Sequence, residues 1–256
     1  MMRPFRSFYL TLIYLFLYIP IGTLIVYSFN NATFSMLWHG FTLNWYRAVL
    51  QDSSLWLAVW HSFYLALAAT TSALFIGTLA AISLYRYQFR GKNMLQGLLF
   101  VIIITPDIVM GIALLILFSL SGLALGFWSL YIAHVTFCIP FVVVIVYSRA
   151  KSIDPNIFAA ASDLGASELQ TFWHIIVPIL LPALISGALL CFALSFDDIV
   201  ISYFVSGPGF EILPIKIFGL ARMGVNVELN ALCSLLFGLT LILVCLSQWV
   251  TRKKKL

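Results

Sequence analysis

Six apolar runs, near residues 8–29, 57–85, 95–120, 127–148, 178–205 and 230–250, dictate what this chain can fold into. Each reaches the roughly 20 residues that a helix needs to cross the hydrocarbon of a bilayer. Charged residues make up only 9% of the chain, where a soluble domain carries about 25%. The sequence therefore describes an all-α integral membrane protein with six transmembrane helices, organised as one domain. Arg3 and Arg6 precede the first run, which is too long for a signal-peptide core and is followed by no small-residue cleavage pattern. It reads as the first transmembrane helix.

Orientation follows from the basic residues. They collect in alternate polar stretches: Arg3 and Arg6; Arg86, Arg90 and Lys92; Arg149 and Lys151; and the tail Arg252, Lys253, Lys254 and Lys255. Arg47, Lys216 and Arg222 fall on the other side. By the positive-inside rule both termini and the stretch 149–177 are cytoplasmic. The same placement accounts for the net charge of +5 as membrane anchoring, without a nucleic-acid partner. Trp38, Trp45, Tyr46 and Trp56, in the outer stretch 30–56, fit the aromatic belt at a lipid interface.

Little in the chain suggests bond-making chemistry. Cys138, Cys191, Cys233 and Cys245 lie in apolar runs and read as packing residues. His39, His61, His134 and His174 form no ligand pattern, and there is no Walker A loop, nucleophile elbow or zinc motif. Nothing here hydrolyses ATP, binds a cofactor or holds a metal.

The intramembrane acids are the exceptions to this apolar background. Asp107 follows Pro106 in the third run, and Asp197 and Asp198 are adjacent in the fifth. An ionised carboxylate at mid-bilayer costs about 2.5–3.5 kcal/mol on insertion scales, so such groups face a bundle interior or a watery path. On straight helices Asp107 would stand roughly 18 Å and Asp197 roughly 22 Å from the cytoplasmic end of its run. No lysine or arginine lies inside the runs to pair with them. A path for a cation is one reading, with Phe192, Phe196 and Tyr203 offering aromatic faces. The other is structural: pairing within the protein, or capping a helix broken at Pro106.

Between the fourth and fifth runs lies a semi-polar island, Asp154–Pro182. Asp154 is placed to cap a helix with Pro155 at its first position, and Ile157, Phe158, Ala161 and Leu164 recur at helical spacing. Gly165 can end that helix in a left-handed conformation. Ser167 with Gln170 has the form of a capping box that starts a second short helix, running to Pro178.

This island resembles the EAA loop of ABC importer permeases: Glu-Ala-Ala, three residues, Gly, nine residues, Ile-x-Leu-Pro. Ala160, Ala161, Gly165, Ile175 and Pro178 fall at matching positions, Val177 replaces the leucine, and Ala159 stands where the motif has glutamate. The resemblance implies a type I importer permease fold with a cytoplasmic coupling helix that docks on an ATPase. The contact surface would comprise Ala159, Ala160, Ala161, Asp163, Gly165, Ser167 and Glu168, without the motif's glutamate.

LYRYQFRGK at 84–92, TPDIVMGI at 105–112, LGFWSLYIAHVTFCIPFVVVIVYSR at 125–149, DLGAS at 163–167, SFDDIV at 195–200 and EILPIKI at 211–217 narrow the likeness. They resemble the permeases of bacterial polyamine (spermidine/putrescine) importers. That implies a place in the inner membrane beside a second, homologous permease, two cytoplasmic ATPase subunits that use ATP and Mg, and an extracytoplasmic polyamine-binding protein. Asp107, Asp197, Asp198, Phe196 and Tyr203 would then line the path of a flexible polycation. The alternative, a proton-coupled secondary transporter of organic cations, would use the three aspartates as a relay but gives no reason for the island.

Overall fold

The computed structural model describes residues 3–32, 37–154, 156–222, 224 and 227–253, with side chains described between Ser7 and Ile242. Pro155 and the side chains of Arg3, Arg6, Cys245 and Arg252–Lys255 therefore lie outside the described residues. In chain order the helices are α1 (Arg3–Tyr27), α2 (Asn44–Gln51), α3 (Ser53–Arg86), α4 (Lys92–Ile104), α5 (Asp107–Ser121), α6 (Phe127–Ala150) and α7 (Asn156–Asp163). Then come α8 (Glu168–Thr171), a π-helical turn (Phe172–Ile176), α9 (Val177–Asp197), α10 (Val200–Val205), α11 (Leu213–Arg222) and α12 (Val227–Lys253).

Among the described residues, Ser7–Tyr27, Ser53–Arg86, Phe127–Ala150 and Glu168–Asp197 are long and apolar enough to cross a membrane. The pair α4 and α5, bent by 111°, makes a fifth when taken as one broken span. The sixth expected run falls on α12, whose described apolar part, Val227–Ile242, is shorter.

The contacts divide the chain into two compact units, with boundaries inside α3 and α11. The first joins the chain up to Leu57 with the chain from Lys216 onward. In it α12 packs on α1 and α2. The Tyr46 hydroxyl lies 2.6 Å from Ser28 Oγ and donates to Ser234 Oγ at 3.2 Å. Trp45 Nε1 donates to the Asn30 carbonyl at 2.9 Å. Two of the expected interface aromatics thus hold their own loop. Asp52 caps α3 by accepting from the Ser54 hydroxyl and amide, both at 2.7 Å. The Ser54 hydroxyl in particular holds the Asp52 carboxyl below its ordinary value.

The second unit, Ala58–Ile215, is built on α6 packed against α9. Leu130, Ala133, Cys138, Val142 and Val146 of α6 are buried with Leu180 and Cys191 of α9. The packing expected of Cys138 and Cys191 is observed: each thiol approaches the other's carbonyl, at 3.8 and 3.6 Å. Along α3, Ala66, Ala69, Ala73 and Ala81 are fully buried, and small side chains of this kind let membrane helices approach closely.

Two runs expected to be continuous are interrupted. Pro106 pushes the residue before it out of the helical region. Thr105 is accordingly extended, with φ −62° and ψ 129°, and Asp107 opens a new helix after the 111° bend. The bend falls directly before Asp107, so a straight-helix count reaches that residue but not the rest of the run. The fifth run breaks at Asp198, φ −67° and ψ 121°, and resumes as α10.

The two restarted helices pack on each other at a residue without a side chain. A Cβ on Gly111 of α5 would lie 2.7 Å from Phe204 Cδ2 and 3.3 Å from Ile201 Cα of α10. Overfilling such a contact costs about 1–3 kcal/mol. Gly111→Ala should therefore lower the melting temperature of the purified protein, and adding Phe204→Leu should restore part of the loss. An unchanged melting temperature for the single variant would show that α5 and α10 do not meet there.

Candidate functional site

Four helices surround a cavity of about 340 Å³ in the second unit. Leu190, Ala193, Leu194 and Asp197 contribute from α9, Asp107 from the first turn of α5, and Phe137 and Phe141 from α6. The break itself, from Asp198 to Ile201, closes one side. The spacing explains the lining: positions 190, 193, 194 and 197 fall on one face of a 3.6-residue helix. The three aspartates singled out in the sequence thus meet around one space.

The three carboxylates differ in what holds them. Asp107 and Asp197 are exposed to the cavity side and have no hydrogen-bonding or ionic partner among the described residues. Asp198 is 8% exposed at its side chain and fully engaged. Its Oδ1 accepts from the Ile201 amide at 3.2 Å, and its Oδ2 from the Ser202 amide at 2.8 Å and the Ser202 hydroxyl at 2.7 Å. These bonds satisfy amides that α10 would otherwise leave open at its start. The structural reading thus describes the contacts of Asp198, although the cap is at the second break rather than at Pro106.

Phe196 and Tyr203, the aromatic residues expected on the path, are not among those lining this cavity. Phe196 stacks on Phe192 at 5.8 Å, and Phe192 meets Phe63 edge-on at 5.7 Å. Residues 192 and 196 share a different face of α9 from Asp197. Tyr203 packs edge-on against its neighbour Phe204 at 5.8 Å, on α10 beyond the break. Phe137 and Phe141, four residues apart on α6, line the cavity instead. Their spacing was readable, but nothing in the sequence indicates which face of α6 turns inward.

A histidine that matches no motif holds the break together. His134 of α6 is fully buried, with Nδ1 2.7 Å from Ser195 Oγ of α9 and Nε2 2.9 Å from Ser202 Oγ of α10. Sequence reasoning missed it, because its partners are hydroxyls on other helices.

The island folds largely as its residues dictate. Asp154 Oδ1 accepts from the Asn156 amide at 2.9 Å. The expected proline at the first helical position is Pro155, outside the described residues. At the other end of α7, Gly165 has φ +80°, and its amide and that of Ala166 reach back to the Ser162 and Ala161 carbonyls at 2.9 and 3.0 Å. This is a Schellman ending. The capping box is present too: Ser167 Oγ accepts from the Gln170 amide at 3.3 Å, and Gln170 Oε1 accepts from the Ser167 amide at 2.9 Å.

The second short helix does not end at Pro178. Pro178 lacks an N–H, and its ring crowds the carbonyl four residues back. The preceding turn widens to a π turn, in which the Val177 amide bonds to the Phe172 carbonyl, and the helix continues unbroken from Glu168 to Asp197. Ala161 faces the core, whereas Ala159, Ala160, Asp163 and Leu164 are exposed, Leu164 by 89%. Glu168 is occupied within the chain: Arg86 at the end of α3 donates to its Oε1 at 2.7 Å. The same guanidinium lies 4.9 Å from the Phe158 ring centroid.

With this geometry in place, the comparisons with known proteins define the class. The chain belongs to the family of binding-protein-dependent transport system inner membrane components, whose pattern matches residues 73–248. It is 50% identical over 98% of its length, and 96% of the relative's, to the spermidine/putrescine transport system permease protein PotC of Escherichia coli strain K12. It is 42% identical, over 92% of its length and 86% of the relative's, to the putrescine transport system permease protein PotI of the same organism. In fold it resembles a chain of a bacterial ABC transporter involved in the import of the acidic polysaccharide alginate, with a TM-score of 0.75 at 17% identity, covering 95% of this chain and 94% of that one.

The Arg86–Glu168 pair leaves the carboxylate 73% exposed, and an exposed pair contributes about 0.2–1 kcal/mol. A double-mutant cycle of Arg86→Ala and Glu168→Ala, read by thermal unfolding, should give a coupling of about that size that fades as salt is added. A salt-insensitive coupling several times larger would mean that the pair is shielded in the assembled protein.

Proposed function

We propose that this chain is a permease subunit of an ATP-driven importer of polyamines, and that the cavity between α5, α6, α9 and α10 is its part of the path. The observation that carries the reading is the pair of carboxylates, Asp107 and Asp197, without a partner among the described residues, at an otherwise largely apolar space with two phenylalanine rings. A polyamine presents ammonium groups separated by methylene spacers. Carboxylates suit the former through charge-assisted hydrogen bonds, and Phe137, Phe141 and the aliphatic wall suit both the spacers and the cation.

In this reading ATP and Mg act in separate cytoplasmic subunits, two of them, and this chain supplies no catalytic group. A second, homologous permease completes the bundle, and an extracytoplasmic binding protein delivers the substrate. The island, with exposed Leu164 as an apolar knob and Asp163 beside it, faces the ATPase from the cytoplasm, the side on which both termini also lie. Because Ala159 replaces the motif's glutamate, docking leans on Ala160, Asp163 and Leu164. Glu168 acts indirectly by tying the start of the long helix to α3.

The helix Glu168–Asp197 gives the coupling a physical carrier. Its 30 residues span about 45 Å, from the docking region to a carboxylate of the cavity. Movement of the island with the ATPase passes through the short turn at Gly165 to the start of this helix, and from there reaches Asp197 along backbone hydrogen bonds. Alternating access further requires that the cavity bind substrate more tightly in one state than in the other.

Losing a hydrogen bond to a charged group costs about 1.5–3 kcal/mol. In the reconstituted complex, Asp107→Asn and Asp197→Asn should each raise KM for spermidine by about tenfold or more. KM values unchanged in both variants would remove the cavity from the path. Uptake that persists with a hydrolysis-dead ATPase and collapses with the proton gradient would instead favour a secondary transporter.

A further inference from the structure

The bonding around His134 has a direction. Asp198 Oδ2 accepts from the Ser202 amide at 2.8 Å and lies 2.7 Å from the Ser202 hydroxyl. A carboxylate has no proton to give, so the hydroxyl hydrogen of Ser202 points to Asp198. That hydrogen is then not available to His134, whose Nε2 is 2.9 Å from the same oxygen. Nε2 must itself carry the proton and donate. With the ring neutral, Nδ1 is the acceptor, and the Ser195 hydroxyl 2.7 Å away donates to it. The Nε2–H tautomer satisfies each of these hydrogen bonds, in the order Ser195, His134, Ser202, Asp198, and its Nε2 also lies 3.7 Å from Asp198 Oδ2.

This series of bonds joins three helices at the point where the fifth span breaks. Ser195 sits two residues before Asp197 on α9, His134 comes from α6, and Ser202 is in the first turn of α10. The three polar side chains are 0–2% exposed, so water does not substitute for any of them. Reversing the ring's tautomer would set an Nε2 lone pair against a hydroxyl oxygen with no hydrogen to offer, leaving a buried group unsatisfied.

We propose that His134 is a positioning residue for the transport path: as the Nε2–H tautomer it fixes Ser202 and Asp198 on the start of α10. Asp107 and Asp197 are thereby left as the two carboxylates that meet the cationic substrate. Asp198 shapes the cavity and does not grip the cargo. The second half of this statement rests on the polyamine-importer reading; the first half does not.

Two measurements on the complete transporter separate these halves. In the complex labelled with 15N-histidine, the signal lost on substituting His134 should be that of a neutral imidazole protonated at Nε2. An Nδ1–H tautomer or an imidazolium overturns the hydrogen-bond order, whatever the transporter carries. In reconstituted vesicles His134→Leu should raise KM for spermidine by about tenfold or more with unchanged amounts of assembled complex. His134→Gln, whose amide N–H can reach the Nε2 position, should stay within about threefold of the unsubstituted protein. Should the leucine variant fail to assemble, Ser202→Ala carries the same expectation as that variant. Uptake lost only in proportion to the amount of complex, at unchanged KM, would make His134 a packing residue and overturn the proposal. Absence of spermidine uptake by the unsubstituted complex would defeat the functional reading and leave the tautomer result to decide the hydrogen-bond order.

Discussion

A helix that stops inside a bilayer must find partners for the backbone groups it frees, because lipid offers none. This chain stops two of its membrane helices, at Thr105–Pro106 and at Asp198–Ile199, and each restarts beside a carboxylate. At the second break the freed amides of Ile201 and Ser202 are taken by Asp198. At the first, Asp107 occupies the opening turn of α5, where the helix dipole favours negative charge. The cavity exists because these two breaks lie together, held by the close contact of Gly111 with Phe204 and Ile201. Two unbroken helices would fill that space with their own side chains.

The breaks also divide the acids by task. A carboxylate already accepting from two amides and a hydroxyl has little left to offer a ligand, whereas one without partners next to a cavity keeps its full capacity. Asp198 is the first kind; Asp107 and Asp197 are the second. The His134 imidazole extends this division by anchoring the hydroxyl that Asp198 depends on. Charge is thus present in the apolar bundle in two forms, one satisfied by backbone and one at a cavity without a partner among the described residues.

Much of this was legible from residue order. The apolar runs located the membrane helices, and Gly165, Ser167 with Gln170, and Asp154 announced the turns and caps that the island adopts. What failed to read through was phase. The π turn before Pro178 keeps alive a helix that a proline was expected to end, so the island's second helix is the beginning of a 30-residue one. The break after Asp197 resets the rotation of α10, so Tyr203 could not be placed by counting, and Phe196 sits one residue off the cavity face. His134 went unnoticed because a buried histidine held by serines on distant helices leaves no spacing signature. Arg86 was counted only as an orientation signal, yet it meets Glu168 across 82 positions of sequence.

The central claim is that Asp107 and Asp197 meet the cargo while Asp198 remains on α10. A structure of the assembled transporter with spermidine trapped in the path tests it most directly. The account predicts ammonium groups within about 3.2 Å of the Asp107 and Asp197 carboxylates, with Asp198 still bonded to Ser202. Substrate bound to Asp198 with that bond broken, or lying outside the space between α5, α6, α9 and α10, would contradict it.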